Sequence, residues 1–486
     1  MNHFQVIIIG SGFGGQCAAI NLLKQGVTDF VILERRDFMG GTWCQNSYPG
    51  AAVDVQSPLY SISSEPYQWT QMFAEQSELE EYTNYVIDKH QLRSKTHMQS
   101  NVLGMQWNEG SAAWEVEIEN KQTLAAKYVI NASGPLSTPI IPGFKGKDNF
   151  KGKSFHTNNW DHNYDYKGKR VAIIGSGASA AQVIPAIAKD VEHLYILQRS
   201  PHWVLPRPDR QFSEWQRKLL GVEWLHKLLR TAIYWQLESR VIAFKYFGKK
   251  VLESTVQKQA KHFIKKSISD PVLRAKLTPD FTIGCKRIIL SSTLYPALNR
   301  SNVSLLDKSQ GVREIKEHSI LTEDGQELEV DLIIYSTGYD ATDGVISYPV
   351  IGKEDTALSD FWADYPRAYL GTSMPKFPNL FIVTGPNTGI GHTSAIFIIE
   401  AQMQYIMQSI KNASTKKNQV IEVKGGEEQR YTHMIHTEMQ KTVWEFGGCN
   451  SWYKSASGKV VAMFPGFSFS FRKLAGDFKP EHHEFS

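Results

Sequence analysis

Cysteine, net charge and long apolar runs are scarce in this chain of 486 residues, and each shortage excludes a class of protein. The four cysteines (Cys17, Cys44, Cys285 and Cys449) form no closely spaced pair, which excludes a Cys-x-x-Cys redox or zinc motif. We therefore predict no metal site, and a reducing, cytoplasmic compartment. The formal net charge of +4 is too small to indicate a nucleic-acid partner. No run of about 18 apolar residues could span a bilayer, and the apolar N-terminus lacks the basic segment of a signal peptide.

The chain has instead an ordinary globular composition, in a length sufficient for two or three domains. Two glycine-rich motifs each follow an apolar, strand-like run and precede a helix of small residues. They are Gly10-Ser-Gly12-Phe-Gly14-Gly15 and Gly175-Ser-Gly177-Ala178-Ser179-Ala180. Such a motif forms the turn between strand and helix in a dinucleotide-binding unit, where the helix N-terminus holds the phosphates. The sequence therefore predicts two bound dinucleotides.

The first unit contains all the parts of such a fingerprint in register. Gly10 permits a tight turn, Gly12 lets the backbone approach a pyrophosphate, and Gly15 lets the helix pack closely on the strand. A second strand-like run ends at Glu34, 24 residues after Gly10. An acid at this place accepts hydrogen bonds from ribose hydroxyls and repels a 2′-phosphate.

The second unit differs at the residue that corresponds to this acid. Its second strand-like run ends in Arg199-Ser200, and Arg199 lies 24 residues after Gly175. A guanidinium beside a hydroxyl suits a 2′-phosphate, so the second unit is predicted to prefer NADP over NAD. The alternative is an arginine solvated at the end of a strand.

Several turns elsewhere are placed to approach a bound dinucleotide. Glycine and proline are dense from Gly41-Thr42-Trp43 to the residues before Asp54, which predicts a loop over the far end of the first cofactor. The runs that end at Thr337-Gly338 and before Asn387 also close in tight turns. Asp54 is either a turn cap or a site residue, and Trp452 is either a core anchor or a residue that stacks on a nucleotide.

Helical periodicity replaces the strand pattern from residue 211 to residue 268, with Lys and Arg between the apolar positions. We predict an inserted helical cap whose apolar face packs over the active cleft. The alternative is a basic amphipathic surface that rests on a membrane. Beyond this insertion, the adjacent cations Lys286 and Arg287 need a partner if they are buried, and otherwise form a surface pair.

The segment between the two units carries the most specific motif. Phe150, Gly152, His156, Trp160 and Asp161 match every defined position of F-x-G-x-x-x-H-x-x-x-W-(P/D), a signature of the type I Baeyer–Villiger monooxygenases. The loop that ends at Asp54 and the run Thr337-Gly338-Tyr339-Asp340 are similar to two further signatures. The chain therefore resembles this family, within the flavin-containing monooxygenases, over essentially its whole length.

The resemblance implies an α/β fold with two Rossmann-like dinucleotide-binding domains and a helical insertion. FAD is expected in a domain formed by residues 1–145 and 376–486. NADP is expected in a domain formed by residues 146–210 and 281–375. The helical subdomain, residues 211–280, is expected to be inserted in the NADP domain.

The resemblance also implies the roles of particular residues. Arg287 is expected to be the active-site cation, and Asp54 the carboxylate that orients it. Lys286 is expected to contact the 2′-phosphate with Arg199 and Ser200, and Trp452 to cover the nicotinamide nucleotide. The moving linker between the domains is expected to contain His156, which is not expected to be a base in contact with substrate. The other expected cofactor contacts are Gly10, Gly12, Gly14, Gly15, Glu34, Gly41, Thr42, Trp43, Gly175, Gly177, Ala178, Ser179, Thr337, Gly338 and Asn387.

The implied reaction is the conversion of ketones to esters or lactones with NADPH and O2, through a C4a-peroxyflavin, with sulfoxidation of thioethers as a further activity. One alternative is an N- or S-oxygenating flavin monooxygenase that acts through a hydroperoxyflavin. A two-dinucleotide disulfide reductase is a second, but it needs paired redox cysteines, and Cys17 and Cys44 lack that spacing. A non-catalytic flavin-binding sensor is a third. The sequence alone leaves the substrate class and the oligomeric state open.

Overall fold

The computed structural model describes residues 2–119, 123–242, 248–342, 346–417 and 419–486. Residues 243–247 of the predicted helical insertion lie outside this description. The strands are β1 (Asn2–Ile9), β2 (Phe30–Leu33), β3 (Thr96–His97), β4 (Val102–Asn108), β5 (Ala113–Ile118), β6 (Leu124–Asn131), β7 (Lys153–His156), β8 (Arg170–Ile174), β9 (His193–Leu197), β10 (Val204–Leu205), β11 (Ile289–Leu290), β12 (Val303–Leu306), β13 (Val312–Ile315), β14 (Ser319–Thr322), β15 (Glu327–Glu329), β16 (Leu332–Tyr335), β17 (Val350–Ile351), β18 (Leu380–Ile382), β19 (Ile421–Val423) and β20 (His483–Phe485).

The helices alternate with these strands in both halves of the chain. They are α1 (Phe13–Lys24), α2 (Thr42–Gln45), α3 (Gln76–Lys89), α4 (Ala178–Ile187), α5 (Glu214–Leu220), α6 (Glu223–Glu238), α7 (Gly248–Leu252), α8 (Lys258–Ser267), α9 (Pro271–Leu277), α10 (Leu294–Leu298), α11 (Leu358–Phe361), α12 (Ala395–Ala413), α13 (Gly425–Met439), α14 (Val443–Phe446) and α15 (Ser468–Gly476). Among the described residues, no helix is both long and apolar enough to cross a bilayer.

The first sheet is built around β1, whose last four residues are buried. β1 lies between β2 and β6, and all three strands are parallel. Strands buried on both faces need the continuous apolar run that this segment contains. β6 pairs antiparallel with β5, and β5 pairs antiparallel with β4. Helices α1 and α12 pack on each other beside this sheet.

The second sheet is fully parallel, in the order β12-β9-β8-β16-β7. Its first crossover runs from β8 through α4 to β9, as the second glycine motif predicts. The α/β fold with two such units is therefore confirmed. Because the carboxyl ends of parallel strands form the usual ligand-binding edge, each glycine motif lies where a dinucleotide is bound.

The chain returns to the first sheet earlier than the sequence suggested. β17 pairs in parallel with β4 of the first sheet, although its residues fall within the range expected for the second domain. We propose that the first domain resumes before Val350, and not at residue 376. This two-residue strand carries too weak a periodic signal to be assigned from sequence.

The insertion is helical, as predicted, but only one side of it is covered. On α6, Ile233 and Leu237 are buried, whereas Leu228 is exposed. Leu219 on α5 is exposed as well. The apolar positions of the insertion therefore divide between a buried face, as expected for a cap, and an exposed face that the cap does not account for.

The fingerprint glycines are required by close backbone contacts. Gly10 has a φ of 98°, and a Cβ atom there would lie 2.6 Å from the carbonyl oxygen of Ala132. A Cβ atom on Gly15, in α1, would lie 2.0 Å from the carbonyl oxygen of Gly10. The sequence-based role of Gly15, close packing of helix on strand, is thus what the backbone geometry requires.

We predict that Gly15→Ala destabilises the protein although alanine favours helix by about 1 kcal/mol over glycine. Overpacking of this kind costs about 1–3 kcal/mol, and the clash here is with backbone that cannot rotate away. Thermal unfolding followed by circular dichroism measures the effect. Gly426→Ala, in the first turn of α13, is the matched control because its Cβ would meet no atom within 4 Å. Equal melting temperatures for the two variants would contradict the packing argument.

Candidate functional site

The site is centred on an ion pair between Arg287 and Asp54. The Nε atom of Arg287 donates to Oδ2 of Asp54 at 2.7 Å, and a terminal nitrogen donates to Oδ1 at 2.5 Å. The backbone of Val53, just before Asp54, donates to the carbonyl of Ala74, which fixes the loop. Arg287 lies just before β11. The structure therefore brings together the two residues that the family resemblance pairs.

The ion pair keeps Arg287 charged while leaving it accessible. Asp54 raises the pKa of the guanidinium, against the opposing effect of burial. The side chain is nonetheless 43% exposed, because it faces an open cleft. A two-pronged carboxylate contact fixes the plane of a guanidinium and leaves its other N–H groups to bind a further anion.

Two phenols lie within the electrostatic reach of this pair. Burial raises the pKa of Tyr453 to about 12, and burial also raises the pKa of Tyr60. Both phenols are therefore neutral hydrogen-bonding groups at physiological pH. Trp43 donates from its indole nitrogen to the Tyr60 hydroxyl at 3.2 Å, so the Gly41–Trp43 loop packs directly against this side of the site.

The cleft beside Arg287 has about 490 Å³ of empty space. Its walls come from the segment that contains Arg287, from the residues just after α6, and from the last third of the chain. The residues that contribute to them include Val241, Lys286, Arg287, His392, Trp444, Tyr453, Pro465 and Gly466. Apolar and aromatic walls with a few charged groups are typical of a small-molecule site.

The sequence analysis missed a hydrogen-bonded carboxylate–histidine pair at this cleft. His392, a lining residue, contacts Glu238 of α6 through Nε2 at 3.1 Å. Glu238 also accepts hydrogen bonds from the Ser468 backbone and hydroxyl at 2.6 and 2.7 Å. The hydrogen bonds from His392 and Ser468 lower the pKa of Glu238 against the effect of burial. The carboxylate is therefore ionised, and the histidine donates to it.

The first glycine motif forms an open backbone cradle. A Cβ on Gly41 would lie 2.7 Å from the α-carbon of Gly12, so only glycine allows these two turns to meet. In the described structure no side chain caps the N-terminus of α1, which leaves its N–H groups for a ligand. Glu34 is buried and accepts from the Ser11 hydroxyl at 2.6 Å, at the end of β2. These residues fit a dinucleotide with a free ribose.

The second glycine motif forms a similar cradle beside a cluster of cations. A Cβ on Gly177 would meet no atom within 4 Å, so there is open space for a phosphate before α4. The Nζ atom of Lys286 donates to the Ser200 hydroxyl at 2.8 Å. Burial and the nearby Arg199 lower the pKa of Lys286. Two mutually repelling cations beside a hydroxyl fit a 2′-phosphate, whose charge would relieve the repulsion.

The loop after the first unit joins the two cradles. Tyr48 donates to Oε1 of Gln182 on α4 at 2.9 Å and lies 3.3 Å from the Ser179 hydroxyl. Gln182 in turn donates to the carbonyl of Ala52 at 2.8 Å. The hydroxyl of Ser179 is therefore engaged at the boundary of the two domains, two residues from Gly177.

The linker signature residues hold the connection between the domains. A Cβ on Gly152 would lie 2.5 Å from the Phe150 ring, and Trp160 packs edge-on against Phe155. Asp161 pairs with Lys153 at 2.5 Å. His156 ends β7, is buried, and accepts the Asn158 backbone N–H at 3.0 Å. Burial lowers the pKa of His156 to about 4. A neutral, buried histidine in this place stabilises the local backbone by accepting a hydrogen bond, and it is not placed to transfer a proton.

The remaining predicted residues divide between the site and its supports. Thr337 donates to the carbonyl of Ile140, and Gly338 follows with a φ of 87°, so this turn joins the second sheet to the linker. Asn387 uses its amide group to donate to the carbonyls of Val460 and Met463. Trp452 is exposed on the loop before Tyr453.

The cysteines require a correction. Cys285 and Cys449 form a disulfide although 164 residues separate them. Wide spacing in sequence does not prevent contact in a fold, so it gives no argument for a reducing compartment. Cys285 is fully buried, and neither cysteine lines the cleft, so the pair lacks the accessible position of a redox centre. The bond instead ties the Trp452 loop to the segment of Arg287. No cluster of three or more metal-ligating side chains is present among the described residues.

Comparison with known proteins identifies relatives along the whole chain. Residues 3–442 match the model of the flavin-binding monooxygenase-like family. A protein named Baeyer-Villiger monooxygenase from Pseudomonas aeruginosa is 42% identical, over 98% of this chain and 90% of its own length. One of the same name from Streptomyces coelicolor is 41% identical, over 97% of this chain and 90% of its own length. A crystal structure of OTEMO in complex with FAD and NADP is similar at a TM-score of 0.88, with 25% identity and 99% of both chains covered.

We predict that Cys449→Ser lowers the free energy of unfolding by about 2–4 kcal/mol, because the disulfide restricts a long loop of the unfolded chain. Thermal unfolding with and without dithiothreitol measures this. The reductant should lower the melting temperature of the wild type and leave that of the variant unchanged. Cys44→Ser, at a free cysteine, is the control and should keep the response of the wild type. A wild type insensitive to the reductant after full reduction would contradict the prediction.

Proposed function

The chain belongs to the flavin-binding monooxygenase-like family, and we propose that it is an FAD-containing, NADPH-dependent Baeyer–Villiger monooxygenase that converts ketones to esters or lactones. The single observation that supports this most directly is the accessible guanidinium of Arg287, held by Asp54 beside the open cleft. Two named relatives at more than 40% identity carry this activity in their names. O2 is the co-substrate.

The two cradles are assigned to the two cofactors by their charge. FAD would occupy the first, where Gly12, Gly41 and the N-terminus of α1 would hold its pyrophosphate and Glu34 would accept from the ribose. NADPH would occupy the second, where Arg199, Ser200 and Lys286 would bind its 2′-phosphate. An acid would repel that phosphate, and paired cations attract it, so the two cofactors are not interchangeable.

When bound, reduced FAD activates O2 and supplies the oxygen atom that is inserted beside the ketone carbonyl. Arg287 binds the negative charge that develops on oxygen as the carbonyl carbon is attacked. A guanidinium stays protonated at any physiological pH, so it supplies charge without supplying a proton. Asp54 holds its plane, which lowers the cost of reorganisation during the reaction.

The other groups at the cleft position the substrate and exclude water. Tyr453 is a neutral phenol and His392 is fixed by Glu238, so each offers one defined hydrogen-bonding group. Trp452, on the loop tied by the disulfide, covers the nicotinamide nucleotide. Exclusion of water from the site limits the wasteful release of hydrogen peroxide.

Oxidation of thioethers is a further activity of the same site. A thioether sulfur attacks the transferred oxygen as a nucleophile, and a proton near that oxygen makes it a better electrophile. A ketone is the electrophile instead, and an anionic oxygen attacks its carbonyl carbon. A permanent cation at Arg287 therefore favours ketones over thioethers. Product analysis by mass spectrometry with a matched ketone and thioether, NADPH and air tests this order.

We predict that Arg287→Ala lowers ester formation roughly a hundred- to thousandfold, the usual effect of removing one group that stabilises a developing anion. NADPH-dependent bleaching of the flavin absorbance should persist, because Arg287 is not required for hydride transfer. Ester is measured by gas chromatography and reduction by stopped-flow absorbance. Arg207→Ala, which removes an arginine paired with Asp209 instead of Asp54, is the control. Ester output at the level of the wild type would rule out the assigned role.

We predict that Lys286→Ala raises the KM for NADPH roughly ten- to a hundredfold, since it removes a charge-assisted contact worth about 1.5–3 kcal/mol. The KM for NADH, which has no 2′-phosphate, should change far less. Steady-state oxidation of each nucleotide measures both values. Lys308→Ala, at an exposed lysine of the same domain, should leave both unchanged. An equal rise for NADPH and NADH would place the 2′-phosphate elsewhere.

A further inference from the structure

The outer face of the helical insertion exposes an unusual number of large apolar side chains. Trp215 and Leu219 on α5 are 63% and 42% exposed, and Trp224, Leu228 and Trp235 on α6 are 66%, 63% and 56% exposed. Residues 224, 228 and 235 are spaced by four and seven positions, so they form one stripe along α6. We use the name exposed stripe for this row together with Trp215 and Leu219 on the adjacent helix α5. Large apolar side chains concentrated on one exposed face mark a site of interaction.

The two helices repeat the same short pattern. Trp215-Gln-Arg-Lys218-Leu219 and Trp224-Leu-His-Lys227-Leu228 both have the form Trp-x-x-Lys-Leu. In each copy the indole and the leucine are exposed, and the lysine lies beside them at the flank of the stripe. An exposed tryptophan and leucine with an adjacent lysine, present twice in succession, is the composition of a helix face that lies in a membrane interface.

The exposed face of α6 is not used to pack the helix on the protein, because the opposite face makes those contacts. Arg230 donates to the carbonyls of Pro58, Leu59 and Ser61, and Tyr234 contacts the Ser468 hydroxyl at 3.0 Å. Ile233 and Leu237 are buried between them. The helix is therefore fixed with its apolar stripe directed away from the core.

The stripe continues to the edge of the cleft. Trp235 contacts the ring of Phe469, which is exposed and stacks on Phe467. Pro465 and Gly466, just before Phe467, line the cleft, as does Val241 just after α6. The exposed apolar surface and the wall of the substrate site are thus consecutive parts of the same two segments.

The charges around the stripe indicate the sign of its partner. Lys218, Lys227, Arg472 and Lys473 are exposed around it, with Arg472 and Lys473 following Phe469 on α15. Glu214 and Glu223 are exposed there as well, and Glu223 pairs with Lys227 at 2.6 Å. From residue 211 to residue 270 the chain has 12 Lys and Arg against five Asp and Glu. A two-fold dimer through this face would bring like charges together, which disfavours a second copy of the chain as the partner.

We infer that the stripe formed by Trp215, Leu219, Trp224, Leu228, Trp235 and Phe469 docks on an anionic lipid surface. The indoles lie at the headgroup level, and the lysines face the phosphates. Since the stripe borders the cleft, the docked protein takes up ketones dissolved in the lipid. This second step rests on the proposed ketone oxidation, whereas the docking itself does not.

The test of docking uses the holoenzyme without NADPH or ketone. Flotation is compared with vesicles of phosphatidylcholine alone and of phosphatidylcholine with about a third phosphatidylglycerol. The bound fraction should be at least about tenfold higher on the anionic vesicles and should fall with added salt. Brominated lipids should quench tryptophan fluorescence on the same vesicles.

The variant Trp224→Ser/Leu228→Ser should lose vesicle binding while keeping its circular dichroism, melting temperature and flavin content. Leu103→Ser/Met434→Ser is the matched control, because both of its residues are exposed apolar side chains outside the stripe, and it should bind as the wild type does. No binding by the wild type, or equal binding by the stripe variant, would overturn the proposal. A concentration-dependent dimer in analytical ultracentrifugation that the stripe variant abolishes would also overturn it, in favour of a second copy.

Uptake from lipid is tested separately with a long-chain ketone dissolved in the anionic vesicles. The stripe variant should show an apparent KM raised by at least about fivefold at unchanged kcat, since only delivery is altered. Its KM for a small water-soluble ketone should equal that of the wild type. An equal KM for the vesicle-borne ketone would overturn the uptake step. A protein that floats but oxidises no ketone would contradict the proposed function and leave the docking surface in place.

Discussion

The ion pair between Arg287 and Asp54 is the interaction on which the rest of the site depends. It joins residues 233 positions apart, one from each nucleotide-binding half of the chain. The pair forms only if the two halves are docked, and a shift of about 1 Å would break a two-pronged contact. The contacts of Tyr48 and Gln182 between the halves therefore contribute to the chemistry, although neither residue lies beside Arg287 in sequence.

Three consecutive residues connect this pair to everything around it. Cys285 is bonded to Cys449 and so to the loop of Trp452, Lys286 contacts Ser200 at the second cradle, and Arg287 binds Asp54. The backbone then enters β11, where Ile289 donates to the carbonyl of Trp203. One short segment thus fixes Arg287, the proposed 2′-phosphate contact Lys286 and the Trp452 loop relative to one another. This arrangement explains how a Baeyer–Villiger monooxygenase can keep its nucleotide in place while oxygen is transferred.

The sequence predicts the parts of this structure that local signals determine. A side chain at Gly10, Gly15 or Gly175 would clash with nearby backbone, so the strand–helix units could be located from sequence alone. The pairing of Arg287 with Asp54 had to come from family resemblance, because no local pattern connects them. Cys285 and Cys449, or Glu238 and His392, have neither a motif nor a short spacing, and only the fold brings them together. Helical periodicity marks Leu228 as part of an apolar face but does not say whether protein covers it.

The Arg287–Asp54 ion pair and the hydrogen-bonded Glu238–His392 pair together determine what the site can accept. Arg287 is compensated by Asp54, and Glu238 by hydrogen bonds from His392 and Ser468, so neither pair leaves an isolated charge in the cleft. A neutral apolar ketone therefore meets little electrostatic resistance on entry, since most of the lining is apolar. The two pairs respond differently to negative charge that develops on the substrate. Arg287 still has accessible N–H groups that can donate to it, whereas the ionised Glu238 has only acceptors. Negative charge on the reacting oxygen is consequently stabilised beside Arg287 and disfavoured near Glu238. Under the proposed function, this asymmetry favours one orientation of the ketone, with its carbonyl directed toward Arg287 and its apolar part toward the segments that lead to the exposed stripe.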